Sequence, residues 1–266
     1  MNTMAALPIS NAKLLLAAFL ILINIVISAW LRLALGRSLI LAAMRMVVQL
    51  LLVGGILEWL FKQHNPFIIL LMAMLMASIA ALAAVRSTKR RFVGIYLNSL
   101  LSVMASSALV TTIAIAGIIQ PRPWFTPQYL IPLLGMVLGN TLNGVSLALD
   151  QLMEGLESQK DQVESHLSLG ASRWEACQDV VQNSVRLGMI PTINSMLVMG
   201  LVSLPGMMTG QIMQGASPAT AVRYQIVVIF IIAAATALGI VGVVLLGYGR
   251  LTSPDHQLRL DRLSKT

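Results

Sequence analysis

The chain has 266 residues, of which 57% are hydrophobic and only 11% charged. A mean hydropathy of +0.83, with less than half the charge of an ordinary soluble domain, excludes a soluble globular protein and defines a polytopic, all-α membrane protein. Eighteen Lys and Arg against ten Asp and Glu fit basic loops on one side of a membrane rather than a nucleic-acid surface, and the lone Cys177 excludes an internal disulfide or a Cys-x-x-Cys site.

A hydrocarbon core takes about 20 apolar residues of helix, and reading from charge to charge predicts seven spans. The first, residues 14–31, follows Lys13. It is long for a signal peptide and has no convincing small-x-small cleavage site, so it reads as a retained span. The second, 38–57, carries Arg45 and Gln49; the third is 65–85; the fourth, 92–121, ends in Gln120-Pro121-Arg122-Pro123; the fifth is 123–149. The sixth, 187–222, has 36 residues without a charge, enough for about 54 Å of helix and too long for one crossing. It is expected to break or re-enter near Leu204-Pro205-Gly206, where only protein or a watery cavity can satisfy the freed backbone. The seventh is 224–249. With the N-terminus outside and the C-terminus inside, 13 Lys and Arg fall on the inner side and four, Lys13, Lys62, Arg122 and Arg223, on the outer. Splitting the sixth segment into two crossings would reverse the tail and worsen the count to 10 against 7.

Seven of the ten acids lie between Asp150 and Asp179. Asp150, Glu154, Glu157, Asp161 and Glu164 follow one helical stripe, and Leu149, Leu152, Leu156, Val163 and Leu167 a second. The fifth helix is therefore expected to run on into the cytoplasm and to end near Gly170. Ser172-Arg173-Trp174-Glu175 reads as a capping box that starts another helix. The result is a cytoplasmic helical hairpin over about 150–186, with Trp174 at an exposed tip. It is either a solvated hairpin or, as the aromatic favours, a docking element for a soluble partner.

Glu164-Ser165-His166, Leu169-Gly170-Ala171-Ser172 and Ile190-Pro191 resemble the Glu-Ala-Ala loop of ATP-binding-cassette (ABC) permeases, with Ser165 and His166 where that pattern has alanines. Residues 200–210 (Gly-Leu-Val-Ser-Leu-Pro-Gly-Met-Met-Thr-Gly), Pro218, Tyr224-Gln225-Ile226, Gly135-Met136, Gly139-Asn140 and the stretch 45–49 are similar to the Fet-type iron-export ABC permease family, which includes plant aluminium-tolerance membrane subunits. The resemblance implies one transmembrane permease domain over 1–266, with a tail from 250. It also implies a symmetric pair of permeases in the cell membrane, a separate ATPase subunit that binds ATP and Mg, and export of iron or another metal. Glu164, Leu169, Gly170, Ala171, Ser172 and Trp174 would couple to the ATPase.

The chain itself has no Gly-x-x-x-x-Gly-Lys-Ser/Thr loop and is expected to be no enzyme and to bind no cofactor. Its histidines (His64, His166, His256) fall outside the spans, which leaves no base for intramembrane catalysis and no His, Cys or carboxylate metal site. A path for substrate is expected to use Asn140 and Asn143 from the fifth span with Ser203, Pro205, Gly206, Met207, Met208, Thr209 and Gln211 around the break. The methionines read first as flexible packing and second as soft contacts. Arg45 either snorkels to the interface or makes a polar contact in the path. Gly135-x-x-x-Gly139 allows close helix packing. Two other classes stay open. An ion-coupled secondary transporter would need an acid in a span, and a non-transporting scaffold would need no broken segment.

Overall fold

The computed structural model describes residues 10–33, 35–63, 65–253 and 257–265. His64 and His256 lie outside them. The chain runs α1 (Asn11–Trp30), α2 (Gly36–Phe61), α3 (Pro66–Arg86), β1 (Arg90–Phe92), α4 (Ile95–Ile113) continued by a π-helical turn (Ala114–Ile119), α5 (Pro127–Ser158), α6 (Lys160–Ser168), α7 (Arg173–Val198), α8 (Gly206–Met213), α9 (Pro218–Leu251) and β2 (Leu263–Lys265). The protein is all-α and polytopic. Among the described residues six helices are long and apolar enough to cross a membrane: α1, α2, α3, α4 with its π turn, α5 and α9. Local chemistry sets several starts: Pro66 follows Asn65, whose side chain accepts from the N–H of Phe67 at 2.9 Å, and Pro218 follows Ser217, which caps Thr220.

The chain forms two compact units. One contains α1, α2 and Gly210–Ala216. In it α1 and α2 make a hairpin whose turn is pinned by the Ser28 hydroxyl, which accepts from the N–H of Leu35 at 3.0 Å. The apolar window of α2 has no buried residue.

The other unit holds the core. Met76 meets Gly135 and Ser87 bonds Ser146, so α3 and α5 are parallel. Gly239 lies against Thr141 and Gly247 against Leu152, so α9 is parallel to both. Contacts of Ser106 with Gly239 and Ser102 with Gly242, and of Gly144 with Gly188 and Gly155 with Val180, make α4 and α7 antiparallel to them. Small residues bring these helices close. Ala77, Ala80, Ala81 and Ala84 of α3 are buried, as are Ser99, Ser102, Ser106 and Ser107 of α4, and the Ser99 hydroxyl donates across to the Ala81 carbonyl at 3.2 Å. The closest approach is α5 on α7. A Cβ at Gly188 would stand 2.9 Å from both the Ala148 Cβ and the Gly144 carbonyl. Gly135 and Gly139 do not make this contact, and nothing lies within 4 Å of a Cβ at Gly139.

The sixth expected span, residues 187–222, is broken as its length requires, but the position of the break is corrected. Because α5 and α9 are parallel, the chain between them must return, and α7 does so only for ten residues beyond Gly188, about 15 Å. It stops at Val198, where Met199 turns extended and Gly200 takes φ +85. The Gly200 N–H then donates to the Ser203 carbonyl at 2.9 Å. The interruption thus begins at Met199, six residues before Pro205-Gly206, and Gly206 instead opens the short α8. The last expected span starts earlier than residue 224, at Pro218.

A second departure is β structure. β1 pairs antiparallel with β2, Arg91 opposite Ser264, and this ties residues of the C-terminal tail to the α3–α4 connection.

Candidate functional site

The parallel and antiparallel directions bring the ends of α3, α5 and α9 and the starts of α4 and α7 to one end of the core unit. There the acidic stripe of α5 meets the basic connection after α3. Asp150 accepts from the Lys89 backbone N–H at 2.8 Å, and Glu157 pairs with Arg90. Leu149, Leu152, Leu156 and Val163 are fully buried beneath, as their spacing requires. Arg86, Lys89, Arg90, Arg91, Arg173, Arg250 and Arg262 all belong to this end. Arg122 and Arg223 belong to the opposite one.

The amphipathic segment is not continuous to Gly170. α5 ends at Ser158, Gln159 turns, and α6 carries on from Lys160 to Ser168. Its end is a Schellman arrangement. Gly170 has φ +91, its N–H donates to the Leu167 carbonyl at 3.1 Å, and the Ala171 N–H donates to the His166 carbonyl at 3.0 Å. Two residues later the capping box is complete. The Glu175 N–H donates to the Ser172 hydroxyl at 3.3 Å, while the Ser172 N–H and hydroxyl donate to the Glu175 carboxylate at 2.8 and 2.7 Å. These donors hold the carboxyl below the usual glutamate value. The corner 169–172 is therefore fixed from both sides.

Its side chains are not equally free. Trp174 is exposed, as expected, but it also stacks edge-on against Tyr248 of α9, with ring centroids 5.7 Å apart, and Arg173 lies over the same ring. The residue that projects is Leu169, 82% exposed. Glu164 faces Lys160 one turn back at 3.7 Å.

The expected pathway residues are distributed over both units. Arg45 and Gln211 belong to the first; Asn140, Asn143, Ser203, Pro205, Gly206, Met207, Met208 and Thr209 belong to the second. Gly139, Asn140, Asn143 and Leu147 form one exposed stripe on α5, and the Asn140 amide donates back to its own helix at the Met136 carbonyl. The Thr209 hydroxyl likewise returns to Pro205 and Gly206. Met208 is buried, and Met207 packs on the cluster of Val110, Val137 and Val228. Arg45 is exposed and makes no ion pair or hydrogen bond among the described residues. No hydrogen bond among those residues joins Asn140 or Asn143 to Ser203 or Thr209. Among them, too, no three His, Cys, Asp or Glu residues gather as a metal site.

Sequence reasoning missed the Gly144–Gly188 contact, the anchoring of Trp174 and the β1–β2 pairing. Each depends on a partner distant in sequence, and only Gly188 leaves a local mark, as a small residue in an otherwise bulky stretch.

These features define an α-helical polytopic membrane protein with a braced helical corner at its cationic end. The sequence matches the uncharacterised protein family UPF0014 over residues 11–252, and the chain belongs to that family. It is 38% identical over 229 residues to a UPF0014 membrane protein of Synechocystis, covering 86% of this chain and 88% of that one. It is 32% identical over 258 residues to the probable iron export permease protein FetB of Escherichia coli, covering 97% and 98%. It is 32% identical over 212 residues to the protein ALUMINUM SENSITIVE 3 of Arabidopsis thaliana, covering 80% and 76%. No solved structure matches it.

Proposed function

We propose that the chain is the permease subunit of an ABC transporter that exports iron or another metal, working as a homodimer and driven by a separate cytoplasmic ATPase that holds ATP and Mg. The observation that carries the coupling role is the corner 169–172. It is locked by the Schellman bonds and the capping box, rooted through α5 and α7 in the buried core, and tipped by an exposed leucine. A rigid lever with an apolar point is what a mechanical coupling to a soluble subunit requires, whereas a solvated hairpin has no use for Leu169. Near end-to-end similarity to an iron export permease supports the transport role.

The same reading places the cationic end in the cytoplasm, because basic residues favour that side. α9 then ends inside, and α3, parallel to it, begins outside. With α1 and α2 each crossing once before α3, the N-terminus lies outside. The open stripe of Gly139, Asn140 and Asn143 would face the second protomer and line the route with Ser203 and Thr209.

Leu169→Asp tests the coupling. It adds charge at a side chain that is mostly exposed, so expression and insertion should match wild type. Co-purification of the ATPase should fall at least tenfold, the order expected for a central apolar anchor. Undiminished co-purification and ATPase stimulation would reduce the corner to a solvated turn.

A further inference from the structure

Two clefts meet at Leu245, near the cationic end of α9. One, of about 380 Å³, is lined by Leu246, Gly249, Arg250, Ser253 and Arg262. The other, of about 440 Å³, lies between α7 and α9 with Val181, Val185 and Val241 in its walls. Leu245 lines both.

Among the described residues the first cleft gathers two arginines and no acid. Arg262 enters it by donating from Nη1 to the Arg250 carbonyl at 2.9 Å. The Arg250 guanidinium lies 3.9 Å from where a Cβ of Gly94 would stand, beside the start of α4. That helix start has no acid in its first turn and no side-chain cap, so its partial positive charge adds to the arginines instead of offsetting them. Neither Arg250 nor Arg262 forms an ion pair among the described residues, and Asp261 is engaged by Arg259 at 3.2 Å. Two arginines lining one cleft suit the oxygens of a phosphate group.

The depth of the cleft selects the source of that phosphate. Leu245 and Leu246 are both exposed about one turn into the span, so apolar surface gives way to charge at the level where a lipid headgroup sits. The adjoining α7–α9 groove then continues along α9 past Val241 with mainly apolar walls, Gln182 and Arg186 of α7 being its polar members. A free phosphate ion would satisfy the arginines and leave the groove unused.

We propose that this end of α9 binds an anionic phospholipid, its phosphate between Arg250 and Arg262 and one acyl chain passing Leu245 into the groove between α7 and α9. The inference needs only that α9 spans the membrane and is independent of the transported substrate and of the ATPase.

The test is native mass spectrometry of the full-length protein in detergent, titrated in parallel with phosphatidylglycerol, phosphatidylcholine and inorganic phosphate. The expected result is one phosphatidylglycerol retained per chain at concentrations where phosphatidylcholine is lost, with no competition from inorganic phosphate. Arg250→Gln should weaken that binding about fivefold, and Arg250→Gln with Arg262→Gln about thirtyfold, from the contribution of a basic residue near an anionic lipid. Val241→Trp, which fills the groove, should also weaken it. Arg122→Gln, at the opposite end, should not. Arg250→Gln retains the backbone carbonyl that anchors Arg262, so a monodisperse elution profile for this variant separates lost binding from lost folding. Equal retention of the two lipids by wild type, or undiminished phosphatidylglycerol binding in the double variant, would overturn the proposal. Displacement of phosphatidylglycerol by inorganic phosphate would overturn it in favour of a soluble anion.

Discussion

Gly144 and Gly188 stand where the backbones of α5 and α7 touch, and a side chain on either has nowhere to go. A Cβ at Gly144 would lie 2.8 Å from the Ile240 Cδ1 and 3.1 Å from the Gly188 carbonyl. One obstacle is a flexible methyl, the other is backbone. Gly188→Leu should therefore destabilise the protein by at least the 1–3 kcal/mol that is roughly typical of overpacking, read as a lower thermal midpoint in detergent. A Cβ at Gly139 has nothing described within 4 Å, so Gly139→Leu should leave that midpoint close to wild type. If Gly139 faces a second protomer, the same substitution should lower the dimer fraction, and an unchanged dimer would remove Gly139 from that interface. The sequence shows 19 glycines and does not distinguish these two, because only the crossing helix decides which glycine is crowded.

At the scale of elements, the division between legible and hidden structure follows the range of the cause. The capping box at Ser172 and the turn at Gly170 are local, so they can be read from four residues and are found where expected. The limits of α1 to α5 and α9 follow from charge and proline and fall within about ten residues of the reading. The end of α7 does not, because hydropathy is blind to a left-handed glycine in an apolar run, and Pro205-Gly206 attracts attention that belongs to Gly200. This yields a discriminating experiment on the break. An L-residue in the left-handed region costs about 1–2 kcal/mol, so Gly200→Ala should push residues 199–203 out of their present turn. Pro205→Ala with Gly206→Ala changes only the first turn of α8 and should matter less. If the break lines the route, metal efflux from cells should drop in Gly200→Ala while the yield of the ATPase complex holds. Normal efflux with reduced yield would assign the break to packing.

For the whole molecule, the direction of insertion is the property that organises the rest. Cys177 is buried, with its thiol pushed up to about 11, and should stay inert to maleimides at neutral pH, so cysteines can be introduced singly without removing it. An impermeant maleimide on intact cells should label Gln120→Cys, in the α4–α5 connection. It should label Leu169→Cys only after permeabilisation. The reverse pattern would invert the orientation and with it the cytoplasmic assignment of the corner.

The pairing of β1 with β2 also imposes an order on biosynthesis. Arg91 and Ser264 are separated by 173 positions, and at roughly 5–20 residues per second the ribosome needs about 9–35 s to travel from one to the other. Throughout that interval α4 to α9 are being made, with α4, α5 and α9 threaded into the bilayer, while β1 waits with an open edge. The strand that closes it is translated only after the final crossing. A nascent chain released just after Leu251 would carry all of its spans and still leave that edge available to a chaperone or to a neighbouring chain.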